Sequence, residues 1–390
     1  MPNFPSDLTP EKLQTRQSTL NFGPCRIVVN PTCPDPDVTF YLWNRQHPEP
    51  QPVEVGTRVD HSNLIKINFN PSEPSKIIIH GYNSDMLLNA LAEIRKEYLK
   101  TTDYNVFTVN WSPLNRAPCY VGALINVPHV GTCTAQLVER IRQMGGEDIH
   151  VIGFSLGAHV ANYMANALRP YKVPRITGLD PAFPGFITPD REAKLDKTDA
   201  QFVDVYHTNA FIQGKVEESD TWTLSKWRGP DLWLWPGSNY LEDLLGDVPL
   251  TTVLPFEGCG CNMMVLHLTM PFRGVRFIFI DFFACNHHRA ALYYAESINT
   301  AKGFWGWPCP AFFQYLLGRC PIHDPQIIMG EYINKAANGV YLVITESVAP
   351  YAVGKYDGPD IEIFLKADKN RLDLLRDYKR RLRIISEKMN

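Results

Sequence analysis

Short apolar runs alternate with segments of helical periodicity along the first half of the chain. The runs with the length and composition of β-strands are residues 37–43, 76–80, 104–111, 149–152, 175–180 and 201–207. Apolar side chains at helical spacing predict helices over 86–99, 131–144 and 158–165. Strands that alternate with helices favour a mostly parallel sheet with helices on both faces. We therefore predict an α/β fold.

Ser155 lies in Gly153-Phe154-Ser155-Leu156-Gly157, between a predicted strand and a predicted helix. Gly-x-Ser-x-Gly in this context is typical of a sharp turn that holds a nucleophilic serine in a strained conformation. The two glycines avoid the Cβ clashes that such a turn would cause. The sequence thus predicts an α/β-hydrolase fold with Ser155 as its nucleophile.

A serine hydroxyl becomes a good nucleophile when a histidine takes its proton and a carboxylate orients that histidine. In α/β-hydrolases both partners follow the serine along the chain. Asp180 ends the next predicted strand and is the predicted acid. The later histidines are His207, His267, His287, His288 and His323. We favour the pair at 287 and 288, which we expect on a loop that opens a helix over 291–298, and spacing alone does not choose between them.

The oxyanion of an acyl-transfer reaction needs two fixed N–H donors. Leu156 follows the nucleophile and is the first predicted donor. The second is expected on the loop after an early strand, where His80-Gly81-Tyr82 makes the amide of Tyr82 the candidate. His159, one helical turn beyond Ser155, is predicted to be structural.

Charge and composition exclude some functions. The net charge is -3, which argues against nucleic acid as a partner, and 45% hydrophobic residues allow a sizeable core. No uncharged apolar run is long enough to span a bilayer. Nine cysteines without paired metal-ligand spacing favour disulfides and an oxidising compartment, although no apolar leader is visible near Met1.

Three regions are expected along the chain. Residues 1–21 are polar and aperiodic and are expected to be a loose N-terminal segment, and residues 22–355 form the α/β domain. Residues 356–390 are expected to be a basic helical tail. Its apolar positions Leu375, Tyr378, Leu382 and Ile385 share one helical face. The tail is expected either to dock on the domain with a solvated basic face or to adhere to an anionic lipid surface.

Ordered segments across residues 22–355 resemble the animal neutral lipases of pancreatic-lipase type, including the insect phospholipase A1-like and midgut lipase branch. The matching segments are 80–82, 109–112, 153–159, 178–182, 202–208, 284–287, 304–309 and 329–331. The family's base follows Cys-Asn, so the resemblance implies a triad of Ser155, Asp180 and His287. It also implies secretion.

The resemblance further implies disulfides. A lid loop would be closed by a disulfide that ends at Cys285, with Cys259 or Cys261 as its partner. Cys309–Cys320 looks like a second family pair, and Cys25–Cys119 is a third candidate.

The implied function is hydrolysis of lipid carboxyl esters, as a triacylglycerol lipase or a phospholipase A1, without a cofactor. The substrate would be met at an interface, with transient contact to a membrane or lipid-droplet surface. The alternatives are a catalytically silent lipid-binding or storage protein of the same family, and a peptidase or small-ester esterase on the same fold.

The chain departs from the family pattern in three places. No β-sandwich follows residue 355, so we expect no colipase-docking module. The calcium loop is only partly kept at 190–199, so we predict no metal. Residues 220–281 are an atypical lid-region segment, either a Trp-rich lid that inserts into lipid or a frame error. Codons for Asp220-Thr221-Trp222-Thr223, read one base earlier, can spell the Gly-His-Val-Asp that the family expects.

Overall fold

The structure of the protein is a computed structural model that describes residues 19–186, 188–208, 221–227, 280–309, 321–346 and 348–356. The backbone alone is described at residues 101, 221–227 and 280–285. The chain divides into two compact units. The first comprises Met1–Val205 and Gln213–Lys215, and the second comprises Tyr206–Ile212 and Val216–Asn390.

The first unit is built on a mostly parallel sheet. Its strands are β3 (Thr39–Trp43), β4 (Gln51–Val53), β5 (Ser75–Ile79), β6 (Asn105–Asn110), β7 (Ile149–Phe154), β8 (Val173–Leu179) and β9 (Ala200–His207). They lie in the order β9-β8-β7-β5-β6-β3-β4. Strand β5 pairs in parallel with β6 and β7, and β7 with β8, whereas β3 is antiparallel to both of its neighbours. The last residues of β9 lead into the second unit.

Both faces of this sheet are covered, because every residue of β5 and β7 is buried. Ile77 and Ile79 belong to the core that includes residues of the helices α2 (Tyr120–Gln143) and α3 (Leu156–Leu168). On the opposite face, the Lys76 ammonium lies 4.9 Å from the ring centroid of Tyr98 in α1 (Asn89–Thr101). The arrangement confirms the predicted α/β class with helices on both faces.

Helix α2 begins much earlier than the predicted start at residue 131. Pro128 lies inside it, where proline removes a hydrogen bond and normally ends a helix. Ala123, Val127 and Val130 are all fully buried at helical spacing, so packing against the core outweighs the local preference. Gly131 lies where α2 meets α3, since an added Cβ would be 2.5 Å from the Tyr163 Cβ.

Two disulfides tie the N-terminal segment to the α2 region. The hairpin of β1 (Thr19–Phe22) and β2 (Cys25–Val28) places the last residues of the predicted loose segment in a strand. Cys25–Cys119 is confirmed, with 5.1 Å between the Cα atoms, and Cys33–Cys133 was not predicted. Each joins residues nearly a hundred positions apart, which stabilises the fold by about 4–5 kcal/mol in the chain-entropy description.

Among its described residues, the second unit contains four strands and one long helix, α4 (Ile280–Asn299). Its strands are β10 (Thr221–Trp227), β11 (Phe304–Pro308), β12 (Ile327–Met329) and β13 (Val340–Thr345), in the order β12-β11-β13-β10. β10 pairs in parallel with β13, so the start of the atypical segment forms a strand. The rest of that segment up to 279, and the tail after 356, lie outside the described residues. No helix in the described ranges is long and apolar enough to cross a membrane.

Candidate active site

Ser155 occupies the turn between β7 and α3, as the sequence predicts. Its φ is 57° and its ψ is -121°, a region that side-chain-bearing residues rarely adopt. Ser155 as a whole is 8% exposed. A strained serine between a buried strand and a helix N-terminus is the arrangement of a nucleophile elbow.

The glycines of the motif are required by packing. A Cβ at Gly153 would overlap the Gly157 carbonyl oxygen, and a Cβ at Gly157 would overlap the carbonyl oxygen of Ile79. Both obstacles are backbone atoms, which cannot rotate away. The elbow therefore tolerates only glycine at these two positions.

The loop after β5 lies directly against the nucleophile. A Cβ added at Gly81 would be 2.6 Å from the Ser155 Cβ. The Gly81 carbonyl oxygen accepts a hydrogen bond from the Asn115 amide at 2.7 Å, and the Asn83 N–H donates to the Asn115 carbonyl oxygen at 2.9 Å. The loop is thus fixed beside Ser155 by a residue of a different segment.

His80 fixes the same loop in a defined protonation state. Its Nε2 accepts from the Trp111 backbone N–H at 3.1 Å, so the ring proton is on Nδ1, which donates to the Gly81 carbonyl oxygen at 3.0 Å. Burial lowers the pKa of His80 to about 4, which keeps the imidazole neutral. Because a trans peptide directs its C=O and N–H to opposite sides, the Tyr82 N–H points away from these partners. This direction is compatible with the predicted oxyanion role of Tyr82.

Asp180 is held close to the elbow by backbone hydrogen bonds. The Ser155 N–H donates to the Leu179 carbonyl oxygen at 3.0 Å, and the Ala182 N–H donates to the Ser155 carbonyl oxygen at 3.3 Å. Asp180, which lies between these two partners, is fully buried and has a φ of 44°. The structure therefore brings the predicted nucleophile and the predicted acid to neighbouring strand ends.

His159 anchors the loop that follows Asp180. Its Nδ1 accepts from the Leu195 N–H at 3.3 Å, so its Nε2 proton is donated to the Ala182 carbonyl oxygen at 2.9 Å. The ring also stacks on Phe186, with the centroids 3.5 Å apart. Both ring nitrogens serve backbone groups, which is a structural role.

His287 belongs to the second unit, whereas Ser155 and Asp180 belong to the first. The loop predicted around His287 and His288 is wrong: both lie inside α4, because the helix starts at Ile280 and continues through the predicted loop. His287 is 8% exposed. Burial, together with repulsion from His287, lowers the pKa of His288 to about 4, so His288 is a poor proton acceptor at neutral pH.

The remaining predicted disulfides are only partly visible. Cys309 is disulfide-bonded, while its predicted partner Cys320 lies outside the described residues. Cys259 and Cys261 lie outside them too, and the side chain of Cys285 is not described. The lid disulfide and Cys309–Cys320 stay predictions.

The partial calcium loop holds two buried carboxylates. Asp196 Oδ2 has no hydrogen-bond partner within the described part of the chain. Burial raises the pKa of Asp199 to about 7, although hydrogen bonds from the Asp196 N–H and the Asn162 amide oppose the shift. Carboxylate oxygens, one of them buried without a hydrogen-bond partner in the described part of the chain, fit a hard cation such as calcium. If one binds, these two aspartates would hold it and it would supply compensating charge.

A sequence model of the family described as Lipase matches residues 14–216 and 255–351. The chain belongs to the lipase family. The match is interrupted at residues that overlap the atypical segment 220–281. The predicted resemblance is confirmed, and the elbow, the strand order of the first unit and its two helical layers confirm the α/β-hydrolase fold.

Curated relatives include pancreatic lipases and related proteins. Human pancreatic lipase-related protein 2 is 31% identical over 289 residues, which cover 73% of this chain and 56% of that protein. Human pancreatic triacylglycerol lipase is 30% identical over 290 residues, 73% of this chain and 57% of that protein. Inactive pancreatic lipase-related protein 1 of Mus musculus is also 30% identical, over 77% of this chain and 59% of that protein. The lipase-family chain thus spans little more than half the length of these relatives.

Solved structures give weaker matches. MGS-M1, an α/β-hydrolase enzyme from a deep-sea metagenome library, is 17% identical with a TM-score of 0.27, over 45% of this chain and 72% of that chain. Est1E from Butyrivibrio proteoclasticus is 11% identical with a TM-score of 0.23, over 42% and 51%.

Proposed function

We propose that this lipase-family protein hydrolyses carboxyl esters of lipids, with Ser155 as the nucleophile. The observation that carries the proposal is the strained Ser155 at the elbow, with Gly81 of the β5 loop packed against it. An elbow of this kind costs backbone strain, on the order of 1–3 kcal/mol, and such strain concentrates at functional sites.

The proposed triad is Ser155, Asp180 and His287. His287 accepts the hydroxyl proton as Ser155 Oγ attacks the acyl carbonyl carbon, and Asp180 orients the imidazole and stabilises its charge. The resulting tetrahedral intermediate collapses, and the alcohol leaves with the proton from His287. Water then attacks the acyl-enzyme with His287 as base, and the fatty acid is released. The role of His287 rests on the Cys285-Asn286-His287 motif.

The amides of Leu156 and Tyr82 are the proposed oxyanion donors. Leu156 is the first residue of α3, so its N–H belongs to the positive end of the helix dipole. The Tyr82 N–H belongs to a peptide whose carbonyl is fixed by His80 and Asn115. Two preorganised donors stabilise the charge that develops on the carbonyl oxygen without reorganisation during the reaction.

The proposed substrates are triacylglycerols or phospholipids at an interface, and the proposed location is extracellular. The names of the pancreatic triacylglycerol lipase relatives support the first point, and the Cys25–Cys119 and Cys33–Cys133 disulfides support the second. Identity does not separate an active enzyme from a silent one, since a relative named inactive is as similar as the lipases.

Covalent labelling tests the nucleophile. A fluorophosphonate probe should label the full chain, and Ser155→Ala should abolish the labelling. Ser84→Ala, which changes a serine of the β5–α1 loop, should leave it intact. Absence of labelling, or labelling that survives Ser155→Ala, would favour the silent lipid-binding protein.

Hydrolysis tests the substrate class. Protein that the probe labels at Ser155 should release fatty acid from triolein or phosphatidylcholine. With a short-chain ester as substrate, the rate of hydrolysis should rise once the ester concentration exceeds the threshold at which micelles form. A protein that labels at Ser155 yet acts only on soluble esters or peptides would contradict the lipid assignment while keeping the serine hydrolase.

A further inference from the structure

The loop that carries Tyr82 is tied along its length to the segment that follows β6. The Trp111 indole N–H donates to the His80 carbonyl oxygen at 2.9 Å, and the Asn83 side-chain oxygen accepts from the Ala117 N–H at 3.1 Å. The rings of His80 and Trp111 stack with their centroids 5.6 Å apart. The position of the loop is therefore set by residues 31 and 34 positions further along the chain.

Asn115 lies in the same segment and holds the residues on both sides of Tyr82. Its side-chain amide donates to the Gly81 carbonyl oxygen at 2.7 Å, and its backbone carbonyl oxygen accepts from the Asn83 N–H at 2.9 Å. Because a carbonyl oxygen only accepts, the amide nitrogen of Asn115 and not its Oδ1 faces Gly81. Asn115 is fully buried. A single residue thus fixes the peptide that joins Gly81 to Tyr82.

The Tyr82 N–H is the donor that this arrangement leaves available. It has no hydrogen-bond partner among the residues that the structure describes. In a trans peptide it points away from the Gly81 carbonyl oxygen that Asn115 binds. Gly81 itself lies against the nucleophile, since an added Cβ would be 3.1 Å from Ser155 Oγ. A fixed and unpaired N–H next to the nucleophile is what the charge of a tetrahedral intermediate requires.

The side chain of Asn115 is poorly suited to a purely stabilising role. Its Oδ1 is buried and has no hydrogen-bond partner within the described ranges. An unsatisfied buried acceptor lowers the free energy of unfolding, so this half of the amide works against stability. The other half binds the one carbonyl group that sets the direction of the Tyr82 N–H.

We propose that Asn115 is a positioning residue of the oxyanion hole, which it assembles by fixing the Tyr82 N–H before substrate binds. This inference rests on the proposed ester hydrolysis. The Tyr82 N–H acts on charge that develops in the transition state, so Asn115 should govern kcat and leave the binding of the ground state nearly unchanged. His80 also donates to the Gly81 carbonyl oxygen, at 3.0 Å, so the loss of Asn115 should weaken the hole without abolishing it.

The first test is Asn115→Ala in the full chain. Active sites are titrated to completion with a fluorophosphonate, so that only folded and reactive protein is counted. Per titrated site, kcat should fall about 100-fold while KM stays within about threefold of the wild type. A trifluoromethyl ketone that adds to Ser155 as a hemiketal should bind more weakly by the same factor as kcat/KM, because its oxyanion occupies the same hole.

Asn105→Ala is the matched control. Asn105 is also buried, and its amide donates to the carbonyl oxygens of Asn70 and Glu73 at 2.7 and 3.0 Å. It is the first residue of β6, at the opposite end of that strand from the segment that holds Asn115. The control should unfold at a lower urea concentration but keep the kcat per titrated site and the ketone affinity of the wild type. An equal loss of kcat in both variants would overturn the proposal, since Asn115 would then act only through the fold.

Asn115→Leu separates positioning from stability. Leucine keeps the volume of the side chain and removes the unsatisfied Oδ1, so the urea midpoint should stay near that of the wild type. It cannot donate to Gly81, and kcat per titrated site should fall as it does in Asn115→Ala. A kcat within about threefold of the wild type in either variant, or an unchanged ketone affinity, would overturn the inference and leave the ester hydrolysis standing. A wild type that the fluorophosphonate does not label would remove the proposed function and this inference with it.

Discussion

Two buried polar clusters on the sheet of the first unit use different chemistry. The elbow cluster (His80, Gly81, Trp111, Asn115, Ser155 and Asp180) lies at or just beyond the carboxyl ends of β5, β6, β7 and β8. It is held largely by hydrogen bonds to backbone groups, and two of its members have positive φ. The second cluster is the strand row (Lys76, His150, Arg175, Thr177 and Asp204). It connects β5, β7, β8 and β9 through contacts between side chains alone.

The strand row is a chain of paired groups. Lys76 pairs with His150, and His150 donates to Thr177 at 2.7 Å. Thr177 donates in turn to Asp204 at 2.8 Å, and Arg175 binds both oxygens of that carboxylate at 2.9 and 2.8 Å. The row holds strands together, whereas the elbow cluster holds strained positions ready for chemistry. Substitutions in the two clusters should therefore have separable effects.

The largest effect is expected from Asp180→Asn. The amide has nearly the same shape but cannot stabilise an imidazolium, so kcat should fall about 10⁴-fold while the melting temperature changes little. Ester hydrolysis and thermal unfolding of the same preparation measure both quantities. Activity that stays within tenfold of the wild type would exclude Asp180 as the acid.

Asp204→Asn is the matched change in the strand row, since both aspartates are fully buried. It leaves the Arg175 charge uncompensated, so the free energy of unfolding should fall by about 3–5 kcal/mol. Urea unfolding measures the loss, and fluorophosphonate labelling of the folded protein should persist. A stability loss below about 1 kcal/mol would contradict the role given to the row.

Acidification should destabilise the elbow cluster through His80. Its folded pKa is about 4 and the ordinary value is 6.5, so the unfolded chain binds the proton first as the pH falls. Stability is fully present above pH 6.5 and falls toward pH 4, by about 3 kcal/mol. Urea unfolding at several pH values should show a shallower slope in His80→Gln. An unchanged slope would contradict a neutral buried His80.

Gly81→Ala should have the smallest effect of the four. The added methyl would press on Ser155, and a displacement of about 1 Å at the nucleophile costs on the order of a hundredfold in kcat. Gly122→Ala is the control, because its nearest neighbour would be 3.7 Å away. The control should keep full activity and gain about 0.5–1 kcal/mol of helix stability. Equal activity of the two variants would show that Gly81 is not packed against the nucleophile.

The strands of the first unit could be predicted because their pattern is local in the sequence. The strands β5 to β9 lie within a few residues of their predicted ranges, because buried parallel strands are continuous apolar runs. The predicted start of α2 is wrong. Pro128 and Gly131 are typical of a helix boundary, and their packing inside α2 depends on residues far along the chain. Cys33–Cys133 was not predicted for the same reason, since its two cysteines are distant in sequence.

The sequence by itself determined the elbow, the fold class and the chain order of Ser155 and Asp180, since each follows from a short pattern. Only the tertiary structure decided how these positions are held. The neutral tautomer of His80, the anchoring of Gly81 by Asn115 and the buried pairing of His129 with Asp35 all depend on partners that are distant in sequence. Protonation and backbone direction are set by such partners, so no local pattern can specify them.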